Sequence, residues 1–183
     1  NTTVPAELIN TATPLGRRNI IINGDYSIYQ RASSATSVGA SAAYPTADRW
    51  AINPSTEGRL TMTAGTADAP AESNVTTSLK LACTTADTSV GAAQFCLLQQ
   101  RIEGQNLQHV KKGTSGAKQL TASFWVKGNG SATYILELYD NDNARQVSKS
   151  FSVTSSWSKV ELTFPADTTG AFDNDANLSL FFQ

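Results

Sequence analysis

Leu120-Thr121-Ala122-Ser123-Phe124-Trp125-Val126-Lys127-Gly128-Asn129-Gly130 is the stretch that decides the fold class. Leu120, Ala122, Phe124 and Val126 alternate with Thr121, Ser123, Trp125 and Lys127. A period of two puts one set on each side of a pleated strand; a helix would repeat every 3.6 residues. Gly128-Asn129-Gly130 then reads as a hairpin turn, since glycine and asparagine accept the positive φ that tight turns need. Beyond it, Tyr134, Leu136 and Leu138 alternate with Ile135, Glu137 and Tyr139. Asp140-Asn141-Asp142-Asn143 reads as a second tight connection.

The same period extends in both directions. Upstream, Trp50 and Ile52 alternate after Asp48-Arg49, and Asn53-Pro54-Ser55 is a turn signal. Leu60 and Met62 mark another strand, and Leu79, Leu81 and Cys83 share a face opposite Lys80. Phe95 to Ile102 is apolar enough to be covered on both sides. Downstream, Phe151 and Val153, then Trp157, Val160, Leu162 and Phe164, then Leu178, Leu180 and Phe182 continue the pattern. Trp50 and Trp157 are expected in the core. Residues 32–47 and 64–77 read as loops, and residues 103–112 as one helical turn built on Leu107 and Val110. About eight or nine short strands with turn signals between them predict an all-β, antiparallel β-sandwich. Residues 1–18 are expected to form an extended N-terminal arm and residues 19–183 the sandwich, with its last strand cut short at the C-terminal end.

The 183 residues suffice for one domain with a core of its own. Only 16% of them are charged, and 22 Thr and 19 Ser take the place of the missing charge. The net charge is −1, and Lys111-Lys112 is the longest basic run, which argues against a phosphate-tracking nucleic-acid surface. No segment has the length and apolarity of a membrane span. Cys83 and Cys96 fall in predicted strands among apolar residues and are expected as buried free thiols; a single disulfide between neighbouring strands is the alternative.

Catalytic chemistry finds little to work with. The one histidine, His109, lies in a polar stretch, and no G-x-S-x-G surrounds a serine. Glu137 and Glu161 occupy outward strand positions, which suits a solvated face better than a carboxylate pair across a cleft. Two acidic clusters, Asp140-Asp142-Asn143 and Asp173-Asn174-Asp175, offer oxygen ligands for calcium, but Asp and Asn are also the ordinary residues of turns. Trp125 and Tyr139, with Glu137 beside Tyr139, are the aromatic and polar groups that a sugar ring would stack on and bond to.

Asn19-Ile20-Ile21-Ile22-Asn23-Gly24-Asp25-Tyr26-Ser27-Ile28-Tyr29-Gln30-Arg31 resembles a segment near the front of many bacteriophage tail-fibre and virion surface proteins. Gln100-Arg101-Ile102-Glu103-Gly104, Ala117 to Lys127 and Trp157-Ser158-Lys159-Val160 are similar to the middle strands of the same domain, which looks like a jelly-roll carbohydrate-binding module. The resemblance covers about residues 16–183. It implies a non-enzymatic structural protein of the virion, most simply a tail-fibre module that forms a homotrimer, joins other tail proteins and attaches to host-surface glycan. A capsid decoration or head-fibre protein, or the carbohydrate-binding module of a larger hydrolase, is the alternative. It also implies that Arg17, Arg18, Tyr26, Tyr29 and Arg31 take part in assembly. A structural calcium on Asp140, Asp142, Asp173 or Asp175 is what related modules suggest; no other cofactor is expected.

Overall fold

The computed structural model describes residues 19–183. Among the described residues, ten strands make an antiparallel sandwich: β1 (Ser34–Val38), β2 (Trp50–Pro54), β3 (Arg59–Thr66), β4 (Ser78–Thr85), β5 (Cys96–Glu103), β6 (Leu120–Val126), β7 (Ala132–Asp140), β8 (Arg145–Val153), β9 (Ser158–Phe164) and β10 (Leu178–Phe182). One layer is a five-stranded sheet in the order β2-β5-β10-β7-β8. The other layer is divided into β1-β3-β4 and the pair β6-β9. The expected all-β antiparallel sandwich is the fold observed.

The division of the second layer divides the core. Leu120, Ala122, Phe124, Leu162 and Phe164 of the β6-β9 pair pack on Ile102, Leu136, Leu138 and Leu180 of the large sheet, with Leu107 and Phe172. Leu60, Met62, Ala64 and Leu79 pack on Trp50, Ile52 and Leu98, with Val38 and Ala47. Ile21 and Phe182 touch both clusters. The inward residues are those that period-two alternation selects. Two 3-10 turns, Gly104–Asn106 and Gln108–Val110, replace the expected helical turn and still bury Leu107 and Val110.

Several expectations are corrected. Gly128-Asn129-Gly130 does not close a hairpin. β6 pairs with β9 along its whole length, and β7 pairs with β8. The turn carries the chain from one layer to the other, with the Gly128 N–H donating to the Thr154 carbonyl at 2.8 Å. Strand β1 lies inside the expected 32–47 loop; its sequence Ser-Ala-Thr-Ser-Val has one large apolar residue, so alternation had nothing to act on. Cys83 and Cys96 are free and exposed, because they lie near the ends of β4 and β5, at the margin of the inner faces. Leu81 points inward beside Met62 but remains 39% exposed for the same reason. Trp157 is half-buried at the margin, with its indole N–H donating to Asp68 at 3.0 Å.

Candidate functional site

Alternation along β5, β10 and β7 turns Ile102, Leu180 and Leu138 into the core, and therefore turns Arg101, Phe181 and Tyr139 outward. These three stand in register across the sheet, and Gln146 of β8 continues the row beside Tyr139. The Arg101 guanidinium lies 4.7 Å from the centre of the Phe181 ring, and the Tyr139 ring lies 5.7 Å on the other side of it, tilted by 46°. Cation–π attraction and aromatic packing hold the three side chains together as a row, with the Phe181 ring between the other two.

A polar row flanks this aromatic row. The Arg101 Nε–H donates to Gln99 Oε1 at 2.7 Å. The Gln183 amide donates to Glu137 Oε1 at 2.7 Å, and the Ser148 hydroxyl donates to Glu137 Oε2 at 3.0 Å. Gln99 is 1% exposed, and its amide nitrogen has no hydrogen-bond partner. The face thus presents an aromatic and guanidinium row flanked by the Gln183 amide and the Glu137 carboxylate, with Gln99 covered beneath Arg101. Such a face suits a polyhydroxylated ring, which needs C–H stacking below and several hydrogen bonds at its rim.

The structure brings Tyr139 and Glu137 together on this face and separates Trp125 from them. Trp125 lies half-buried on the outward side of the β6-β9 pair, opposite Lys159, on the other surface of the sandwich. Sequence reading missed Arg101, Phe181, Gln99 and Gln183. The alternation of Leu178, Leu180 and Phe182 already places Phe181 outward; only the sheet order reveals that it stands between Tyr139 and Arg101.

The expected assembly residues have contacts within their own chain. Tyr26, at φ +58°, packs on Trp50 with 5.1 Å between ring centres, and burial pushes its phenol pKa up. Tyr29 covers Gly65, where an added Cβ would come within 2.6 Å of the Tyr29 ring. Arg31 pairs with Asp48 at 3.3 Å. Arg17, Arg18 and the rest of the expected arm lie outside the described residues.

The front segment itself is held by polar side chains that read backbone. Asn23 donates to the carbonyls of Ile28 and Asp48 and accepts from the Ile28 N–H, while the Trp50 indole donates to the Asn23 carbonyl at 2.9 Å. The fully buried Gln100 side chain exchanges two bonds with the backbone of Ile22, at 2.8 and 2.7 Å. Beside it, Arg49 forms a two-pronged pair with Glu103 at 2.8 and 2.9 Å, which holds the Glu103 carboxyl below the usual range.

The acidic clusters supply turn hydrogen bonds and one buried ion pair. Asp140 is buried and salt-bridged to Lys112 at 2.6 Å, and it also accepts from the backbone N–H groups of Asp142 and Asn143. Lys112 is itself buried; it bonds the carbonyls of Thr169 and Gly170 and lies 3.3 Å from Asp167. Asp142 accepts from the Asp173 N–H, and Asp175 from the Asn177 N–H. Among the described residues, no three His, Cys, Asp or Glu side chains are grouped to hold a metal ion. Next to Lys112 a cavity of about 310 Å³ opens over Leu138, Phe164, Phe172 and Leu180, with Arg145 at its rim.

No family model, no curated protein and no solved structure matches the chain. Among the described residues, no helix is long and apolar enough to cross a membrane.

Proposed function

We propose that the chain is a non-enzymatic module of a bacteriophage virion, a tail-fibre domain, and that the outward side of its five-stranded sheet receives host-surface glycan. The observation that carries this reading is the row Arg101–Phe181–Tyr139, backed by Gln99, Gln183 and Glu137. A sugar ring laid against Tyr139, at the end of the row that Phe181 supports, meets the Gln183 amide and the Glu137 carboxylate on its flank. One shallow site of this kind binds weakly, and a particle that carries many copies binds jointly. Assembly into a trimer and attachment to other tail proteins belong to the same proposal and rest on the resemblance of residues 19–31 to the front of such fibres.

Affinity electrophoresis or a glycan array of bacterial surface polysaccharides tests the reading. Retention by at least one polysaccharide is expected, with a loss of about tenfold or more for Phe181→Ala and Tyr139→Ala, as removal of a stacking aromatic contributes about 1–3 kcal/mol in comparable ring-on-ring contacts. Trp125→Ala keeps the binding. Absence of any retained glycan, or loss with Trp125→Ala alone, overturns it.

A further inference from the structure

Cys83 and Cys96 occupy related positions on the two layers. Cys83 is paired with Leu60 across β3 and β4, and Cys96 is paired with Pro54 across β2 and β5. Leu60 and Met62 share the face of Cys83 and Leu81; Ile52 and Leu98 share the face of Cys96. Met62 and Ile52 are fully buried in one cluster, with Leu60 and Leu98 packed against it. Both cysteines therefore sit on inner faces, where the sheets face each other. They also sit at the same mouth of the sandwich, because residues 86–95 carry the chain from the end of β4 directly to Cys96 at the start of β5. That mouth is accessible: Leu81, on the same inner face as Cys83, is 39% exposed, and both cysteines are exposed. The Cys96 thiol is pushed up, first by burial and then by Cys83.

We propose that Cys83 and Cys96 form an inter-sheet disulfide that staples this mouth, with a low-molecular-weight disulfide as the oxidant. One cysteine thiolate attacks glutathione disulfide and releases one glutathione thiolate, leaving a mixed disulfide. The second cysteine thiolate attacks the protein sulfur of that mixed disulfide and expels the other glutathione. Two protein thiols are oxidised, one glutathione disulfide is reduced to two thiols, and the two protons pass to the departing glutathiones. The bond closes a loop of about a dozen residues and joins β4, a sheet edge, to the large sheet; constraint of the unfolded chain raises the thermal midpoint by about 5–10 °C.

The test is intact mass and thiol titration of the full chain, reduced and then equilibrated with glutathione disulfide. The expected product is a monomer lighter by about 2 Da, with no free thiol and no adduct. Cys83→Ser and Cys96→Ser, at exposed positions, instead each retain one glutathione and show no rise in midpoint. A wild-type protein that keeps one or two glutathiones, or that yields only disulfide-linked dimers, overturns the proposal. The mass of the wild-type protein decides the matter even if a variant folds poorly.

Discussion

The sandwich covers its two core clusters in different ways. Over the Trp50–Ile52–Met62 cluster, the front segment is fastened mainly by neutral groups, Asn23, Gln100 and the Trp50 indole, each bonded to backbone, with the exposed Arg31–Asp48 pair only at its end. Over the Leu138–Phe164–Leu180 cluster, the margin is fastened by a buried cation, Lys112, between Asp140 and Asp167. Both arrangements solve one problem, which is that loop backbone laid on an apolar core must find hydrogen-bond partners. The neutral solution spreads the bonds over several side chains, each modest and independent. The charged solution concentrates them on one ammonium, so its parts are strongly interdependent.

The largest expected effect lies on the charged side. Lys112→Ala leaves Asp140 buried without its partner and costs about 3–5 kcal/mol in urea unfolding. Lys112→Met combined with Asp140→Asn recovers most of that loss, because no charge is then left uncompensated. If the single and double variants are equally unstable, the two closures do not differ in the way described. Asn23→Ala ranks next. It removes three hydrogen bonds and takes asparagine from a φ of +54°, for about 2–3 kcal/mol. Raised salt leaves this loss unchanged, since no ion is involved. Gly65→Ala follows, at about 1–3 kcal/mol, from its φ of +67° and the collision with Tyr29. Adding Tyr29→Ala removes the collision but not the backbone strain, and so restores part of the stability.

The smallest effect is a pH dependence. Burial opposes ionisation of Asp167, but the Thr169 N–H and Lys112 outweigh it and hold its carboxyl below the usual range. A lowered native pKa means that the unfolded chain takes up the proton first. The contribution is therefore complete above the ordinary carboxylate range, near pH 4, and disappears as pH falls through the lower native value. Asp167 is about a third exposed, so Asp167→Asn costs less than about 1 kcal/mol at pH 7 and less still at about pH 3. Unfolding curves of the two proteins at both pH values check this. A difference that persists undiminished in acid assigns the role of Asp167 to its shape and not to its charge.

What the sequence reveals follows the same contrast. Strands that alternate large apolar with polar residues, such as Leu120–Val126 and Leu178–Phe182, are legible, because one buried side is enough to set the pattern. β1 is not, because Ser34–Val38 contributes only Val38 and the small Ala35 to the core. Pairing is less legible than strand position. Gly128-Asn129-Gly130 is a good turn sequence wherever the chain reverses, and a reversal between layers looks locally like one within a sheet. The outward face needed that missing topology. Tyr139 and Glu137 are identifiable in their own strand, whereas Arg101 and Phe181 come beside them only because β10 inserts between β5 and β7. Lys112 was hidden for another reason. A lysine in a polar stretch is usually solvated, and only the fold shows that Asp140, read as a turn residue or calcium ligand, is its counter-ion.

The position of β10 also governs when the sheet can exist during synthesis. β2-β5 and β7-β8 are each a ribbon of two strands, and the strand that joins them leaves the ribosome after both. Until Leu178–Phe182 emerges, β5 and β7 each present a bare row of backbone donors and acceptors, and the inner residues Ile102 and Leu138 lack Leu180 between them. A nascent chain in this state is held open by topology, not by weak contacts. It is then most exposed to mispairing with a second nascent chain, and it closes in a late, largely non-local step.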